Sequence, residues 1–120
     1  YGQIEGGFVQ GQGWLTMEEV IWGDDGKIKT FSPSTYKIPA VTDIPKTFNV
    51  EIYKKGMNVE KVVNKAKTTG EPPLMLAMSV FFAIKDAIAS ISNYQKIPNL
   101  DAPATAEKIL LSIKKLKNII

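Results

Sequence analysis

The run that begins at Gly70-Glu71-Pro72-Pro73 constrains the fold more than any other. It stops a polar loop and opens the most apolar stretch of the sequence. Proline suits the first turn of a helix, where its missing N–H costs nothing. The residues that follow are apolar nearly all round over 74–91, so the pattern predicts a helix over 74–93 that is buried on most sides. Such a helix needs cover from several directions. A chain of 120 residues can form one domain with a core, but it is short to supply all of that cover. The expectation is a single subdomain, 1–120, that leans on protein outside it.

The flanking segments fill in the fold class. Residues 3–20 read as a helix, because Ile4, Phe8, Gly11 and Leu15 recur at one-face spacing. Gln3 and Gln10, seven apart, share a face as well. Gly2, Gly6, Gly7, Gly11 and Gly13 weaken this helix, each by about 1 kcal/mol against Ala in a helix interior. A segment that carries that cost lets another backbone or a ligand come close. Residues 20–23 and 27–31 flank Asp24-Asp25-Gly26, a favoured hairpin turn. Residues 48–53 alternate apolar and polar, as a half-buried strand does, and 54–69 read as a loop. The last helix, 104–118, has Thr105 as N-cap and Glu107 in its first turn. Its inward stripe is Ile109, Ile113, Leu116 and Ile120. The sum is an α+β fold of about three helices (3–20, 74–93, 104–118) and a small sheet of short strands (20–23, 27–31, 48–53). A sheet that small rarely stands alone.

Composition removes several chemistries. There is no Cys, hence no disulfide, thiolate nucleophile or iron–sulfur ligand, and no His for a catalytic triad or a zinc site. No metal-ligating set is expected. Net charge is +3 and every basic residue is Lys, which argues against specific nucleic-acid recognition, where Arg is the favoured reader. Gly11-Gln12-Gly13 lacks a third Gly at Thr16, and Gly26-Lys27 is followed by Ile28, so neither phosphate-loop pattern is complete. The apolar run Leu74–Ile84 is too short to span a bilayer. No leader peptide is visible, so a cytoplasmic location without membrane contact is expected. The pairs Glu18-Glu19 and Asp24-Asp25 could hold a cation, but they read better as a solvated helix end and a turn.

Glu71 stands apart. It sits where a polar loop meets the apolar helix, boxed by Gly70 and two prolines. The helix start favours its anion, and burial against Leu74 would favour its acid form. A buried carboxylate poised between the two suits a general base. The same placement also suits an ordinary helix-start residue.

Several blocks resemble one family in collinear order over nearly the whole chain. Residues 3–11, Gln-Ile-Glu-Gly-Gly-Phe-Val-Gln-Gly, resemble the cofactor-contacting helix of the molybdenum subunit of xanthine dehydrogenases. Residues 14–19 resemble the bacterial branch. Residues 33–39, Lys67 to Leu74, 81–87 and Leu100 to Thr105 match further blocks toward the carboxy-terminal end of that subunit. The resemblance implies a hydroxylase of purines such as xanthine and hypoxanthine, with water as oxygen source and a molybdenum–molybdopterin cofactor. FAD and 2Fe-2S clusters would lie on other parts or subunits. Glu71 matches the catalytic base, Gln3 a cofactor-contacting glutamine, and Thr69 and Gly70 the positions beside the cofactor. Thr68 matches a position lining the substrate pocket. The implied partners are the upstream part of the molybdenum subunit, a FAD/iron–sulfur subunit and a purine substrate, in an oligomeric enzyme. The segment alone is expected to be inactive.

The sequence departs from the family where Ala-Val-Gly-Glu becomes Thr68-Thr69-Gly70-Glu71, adding bulk and hydroxyls near the expected substrate. Gly7 replaces the usual Ala. Gly70-Glu71-Pro72-Pro73 favours the xanthine over the aldehyde branch. An aldehyde or other N-heterocycle hydroxylase is the alternative within the superfamily, and a structural or subunit-contact domain is the alternative outside it.

Overall fold

The computed structural model describes residues 1–118. Four α-helices carry it: α1 (Gly2–Thr16), α2 (Glu71–Leu76), α3 (Met78–Ser90) and α4 (Ala106–Leu116). Two short 3-10 turns, Val41–Asp43 and Val63–Lys65, punctuate the long middle segment. The stripe position Ile120 lies outside the described residues.

The helices fall where the periodicity predicts them, with C-terminal ends short of the expected ones. The expected single helix 74–93 begins earlier, at Glu71, and breaks at Ala77 into α2 and α3. Together Glu71–Ser90 make a 20-residue run of mean hydropathy 1.5, which by length and composition alone could cross a bilayer. The run Leu74–Ile84 understates that length. The core helix of a larger protein has the same properties. Here most of the run is uncovered: Leu76 is 64% exposed and Phe82 55%. The expectation that it is buried on most sides is not met within this chain.

The predicted sheet is absent: among the described residues there is no strand, so the fold is helical rather than α+β. At 20–31 the turn forms as expected, with Gly26 at φ +74°. A Trp22–Ile28 bridge and the Lys29 N–H to Ile21 carbonyl bond (2.8 Å) join its arms. The arms go no further. Residues 48–53 adopt no regular element and pair with no strand. A helix closes its hydrogen bonds within itself, whereas a strand needs a neighbour to receive them. Alternation alone supplies none.

The core is small. Ile88 of α3, Leu100 and Ala104 of the connection, and Leu116 of α4 are buried together, with Phe81, Ile84, Ile109 and Ile113 packed against them. Ala104 N–H donates to the Leu15 carbonyl at 2.7 Å and ties this core to the end of α1. Thr105 caps α4 by accepting from Lys108 N–H. Lys96 reaches the other end of α4, donating to the Leu116 carbonyl at 3.0 Å.

The accessible area is 9352 Å², where a folded monomer of this mass would expose about 6,400 Å². The radius of gyration is 18.2 Å, against about 14 Å for a compact domain of this length. The excess surface is apolar in many places, Phe31, Val41, Val59 and Val63 among them.

Candidate functional site

The glycines of α1 bring two distant parts of the chain together. Gly7 and Gly11, four apart, lie on one face, and both are buried. A Cβ on Gly7 would collide with the Gly70 carbonyl, and one on Gly11 with the Leu74 carbonyl and with Ala77 Cβ at 2.8 Å. The start of α2 therefore rests against the backbone of α1. Gly70 itself lies over the Gln3 carbonyl; its Cβ would stand 3.8 Å from that oxygen. The close backbone approach expected from the glycine content is met here.

A cleft of about 340 Å³ opens along this contact. Gly2, Gln3, Gly6, Gly7 and Gln10 of α1 line one side, and Gly70, Glu71 and Leu74 the other. Gln3, Gly70 and Glu71, singled out from the sequence, thus meet in one place. Thr68 and Thr69 do not line the cleft; both are exposed on the loop before it. Glu71 is the first residue of α2, followed by Pro72 and Pro73. The Leu74 N–H donates to the Gly70 carbonyl at 3.1 Å and closes the first turn. Glu71 is exposed rather than buried, so the apolar cover expected around it does not come from this chain. Among the described residues no cluster of three acidic side chains could hold a metal.

Gln10 is a lining residue whose place in the cleft the sequence reading did not assign. Its signal was the seven-residue spacing from Gln3. A second depression, of about 490 Å³, touches the same helix edge at Gly6 and Gln10 and runs to Glu18 and Tyr36. Glu18 is not the solvated helix-end residue expected: it is 9% exposed and accepts from the Tyr36 hydroxyl at 2.6 Å. That bond raises the tyrosine above its ordinary value, helped by desolvation and by the Glu18 charge. Glu19 pairs with Lys108 at 3.1 Å. Asp43 accepts from the Ala40 N–H and from Lys37 at 2.9 Å. The first of these bonds lowers its carboxyl most, the second adds to it. The same turn offers its Asp43 carbonyl to the Gln12 side-chain amide at 2.7 Å.

Residues 1–45 match the profile of the molybdopterin cofactor-binding domain. A xanthine dehydrogenase from Oryza sativa is 46% identical over 92% of the chain, and a xanthine dehydrogenase/oxidase from Mus musculus 48% over 90%. A nicotinate hydroxylase from Emericella nidulans is 42% identical over 94%. The chain spans only 9%, 8% and 8% of those relatives. Among solved structures, quinoline 2-oxidoreductase from Pseudomonas putida superposes over 95% of the chain and 14% of its own, with TM-score 0.75 and 30% identity. Both xanthine dehydrogenases are eukaryotic, so the bacterial leaning of Trp14–Glu19 finds no support in them. With a molybdopterin cofactor-binding domain match at one end and alignments over 90% or more of its length, the chain belongs to the xanthine dehydrogenase family and corresponds to a small part of its members.

Proposed function

We propose that this segment supplies the general base, Glu71, and part of the cofactor wall in a molybdenum hydroxylase acting on purines. The observation that carries this reading is the convergence of Gln3, Gly70 and Glu71 in one cleft from positions 68 residues apart. The residues suit a pterin. The carboxamides of Gln3 and Gln10 each offer a donor and an acceptor, and the glycines between them leave backbone open to close approach. When bound, molybdenum–molybdopterin would supply the two-electron oxidation and oxygen transfer. The protein supplies orientation and proton handling.

In that reading Gln3 holds the pterin edge with Gly70 beside it, while Thr69, outside the cleft in this chain, reaches the cofactor only once the rest of the enzyme orders its loop. Glu71 accepts the proton from the water-derived nucleophile as it attacks the electrophilic carbon. Its exposure in the segment leaves the carboxylate free to meet substrate, and other parts of the molybdenum subunit close over it. FAD and 2Fe-2S clusters on further regions carry the electrons away. Residues 1–120 act as one subdomain within an oligomeric, cytoplasmic enzyme, and the segment alone is inactive. A purified 120-residue chain that turned over xanthine would sink this.

The substrate assignment rests on the xanthine dehydrogenase relatives. A second reading, hydroxylation of another N-heterocycle, is favoured by the nicotinate hydroxylase and quinoline oxidoreductase similarities. The test is turnover of xanthine, hypoxanthine, nicotinate and an aromatic aldehyde by the intact enzyme, wild type against Glu71→Gln, with molybdenum content measured alongside. A general base contributes about 10²–10⁴-fold, so a loss of that size at unchanged molybdenum supports the role of Glu71. Undiminished turnover refutes it. The preferred substrate decides between the two readings.

A further inference from the structure

We infer that the depression beside the cleft receives a lysine or arginine side chain from the part of the enzyme outside this segment, paired with Glu18. The inference does not depend on the role of Glu71. It starts from the Glu18 carboxylate, which is buried at 9% exposure yet forms no ion pair among the described residues. Lys37, next to Tyr36 in the chain, is engaged by Asp43 at 2.9 Å, and Lys108 by Glu19 at 3.1 Å. Tyr36 donates to Glu18 Oε2 at 2.6 Å, a length typical of a hydroxyl on an ionised carboxylate, but it brings no positive charge. Oε1 lies against Gly13, where a Cβ would strike both it and Pro39. Buried charges are found paired, because an isolated one gives up its hydration without return.

The depression suits such a side chain. Val9, Trp14, Ile38 and Pro39 give it apolar walls, and Glu18 and Tyr36 line it with them. Apolar walls around one carboxylate match an aliphatic stem with a cationic head. Trp14 and Ile38 are 52% and 58% exposed, so the walls lie open to protein arriving from outside. The same polypeptide is the source, because this chain spans only 9% and 8% of the xanthine dehydrogenases it aligns with. Gly6 and Gln10 line both the depression and the cleft. The ion pair would therefore brace the side of α1 that forms the cleft wall.

The test uses the intact enzyme. Its crystal structure should place an ammonium or guanidinium nitrogen, from the same polypeptide but outside this segment, within about 4 Å of the Glu18 carboxylate. Water, an apolar side chain, a ligand group or a second subunit in that place overturns the proposal. Glu18→Gln gives an independent reading, because the carboxamide keeps an acceptor for Tyr36 and removes only the charge. With a buried cation opposite, that change leaves the cation unpaired, and hydrogen exchange of the amides at the end of α1 should speed up by about 10²–10⁴-fold. With no cation, removing a buried charge is neutral or stabilising, so unchanged or slower exchange overturns the proposal. Tyr36→Phe keeps both charges and should speed exchange by only about 10-fold. An effect as large as that of Glu18→Gln would trace the loss to the hydroxyl bond and overturn the ion pair. If Glu18→Gln fails to accumulate, the wild-type crystal structure decides.

Discussion

The helical frame (1–16 with 71–116) and the middle segment (20–66) carry similar apolar residues and use them differently. In the frame, α1 lies against α2 through glycine backbone, and α3 and α4 share a core at Ile88, Leu100 and Leu116. In the middle, Phe31, Val41, Tyr53, Met57, Val59 and Val63 are all more than three-quarters exposed. What holds that segment is mostly polar, the Asp43 turn, the Glu18–Tyr36 bond, the Lys27–Asp25 pair and the Gln12 amide on the Asp43 carbonyl, with one aromatic tie to α1, Phe48 against Phe8 at 5.2 Å between ring centres. The contrast teaches which surface waits for other protein. The frame satisfies itself around the cleft, while the middle and the outer side of α2–α3 present apolar area with nothing of this chain to cover it.

Six substitutions would break or sharpen that contrast. The largest effect belongs to Glu71→Gln, a loss of about 10²–10⁴-fold in kcat. Glu51→Gln in the middle segment should leave kcat unchanged in the same assay, and a loss there would erase the division. Next, Leu116→Ala removes a buried core side chain and should cost about 2–5 kcal/mol. Val59→Ala, at 88% exposure in the chain, should stay within about 0.5 kcal/mol unless the rest of the enzyme covers it. Denaturant unfolding of the intact enzyme separates those outcomes, and a large cost at Val59 would locate an interdomain contact. Thr105→Ala removes the cap of α4 and should cost about 1 kcal/mol, read as lost amide protection in its first turn.

The smallest effect is the pH dependence contributed by Asp43. Its carboxyl is lowered in the folded chain, by the Ala40 N–H first and by Lys37 second. The unfolded state therefore binds the proton more tightly. The contribution is fully present above the ordinary carboxylate range and is lost as pH falls through the lower folded value. Asp43→Asn should flatten that acid limb in thermal unfolding. An unchanged limb would mean the turn is held by something else.

Much of the frame was legible because its signals are local. The Thr105 cap, the Pro-Pro helix start and the apolar period in α4 each need only a few adjacent residues, as does the Gly26 turn in the middle segment. The cleft was legible in part: Gln3, Gly70 and Glu71 came from a run of motifs, and the glycines of α1 signalled a close approach, but that the partner of Gly7 is Gly70 joins residues far apart and leaves no local trace. Glu18 was misread for a similar reason, because its partner Tyr36 arrives from a segment without regular structure. The strands failed because alternation at 48–53 states a preference for a pleated surface, and the surface that would receive it is not in this chain. The exposure of Glu71 follows from the same shortage of cover.

The two walls of the cleft also differ in when they are made. Gln3 leaves the ribosome 68 residues ahead of Glu71, roughly 3–14 s at ~5–20 residues per second. Throughout that interval α1 presents a bare glycine face. The cleft takes shape only once its second wall, Gly70 to Leu74, has followed the first.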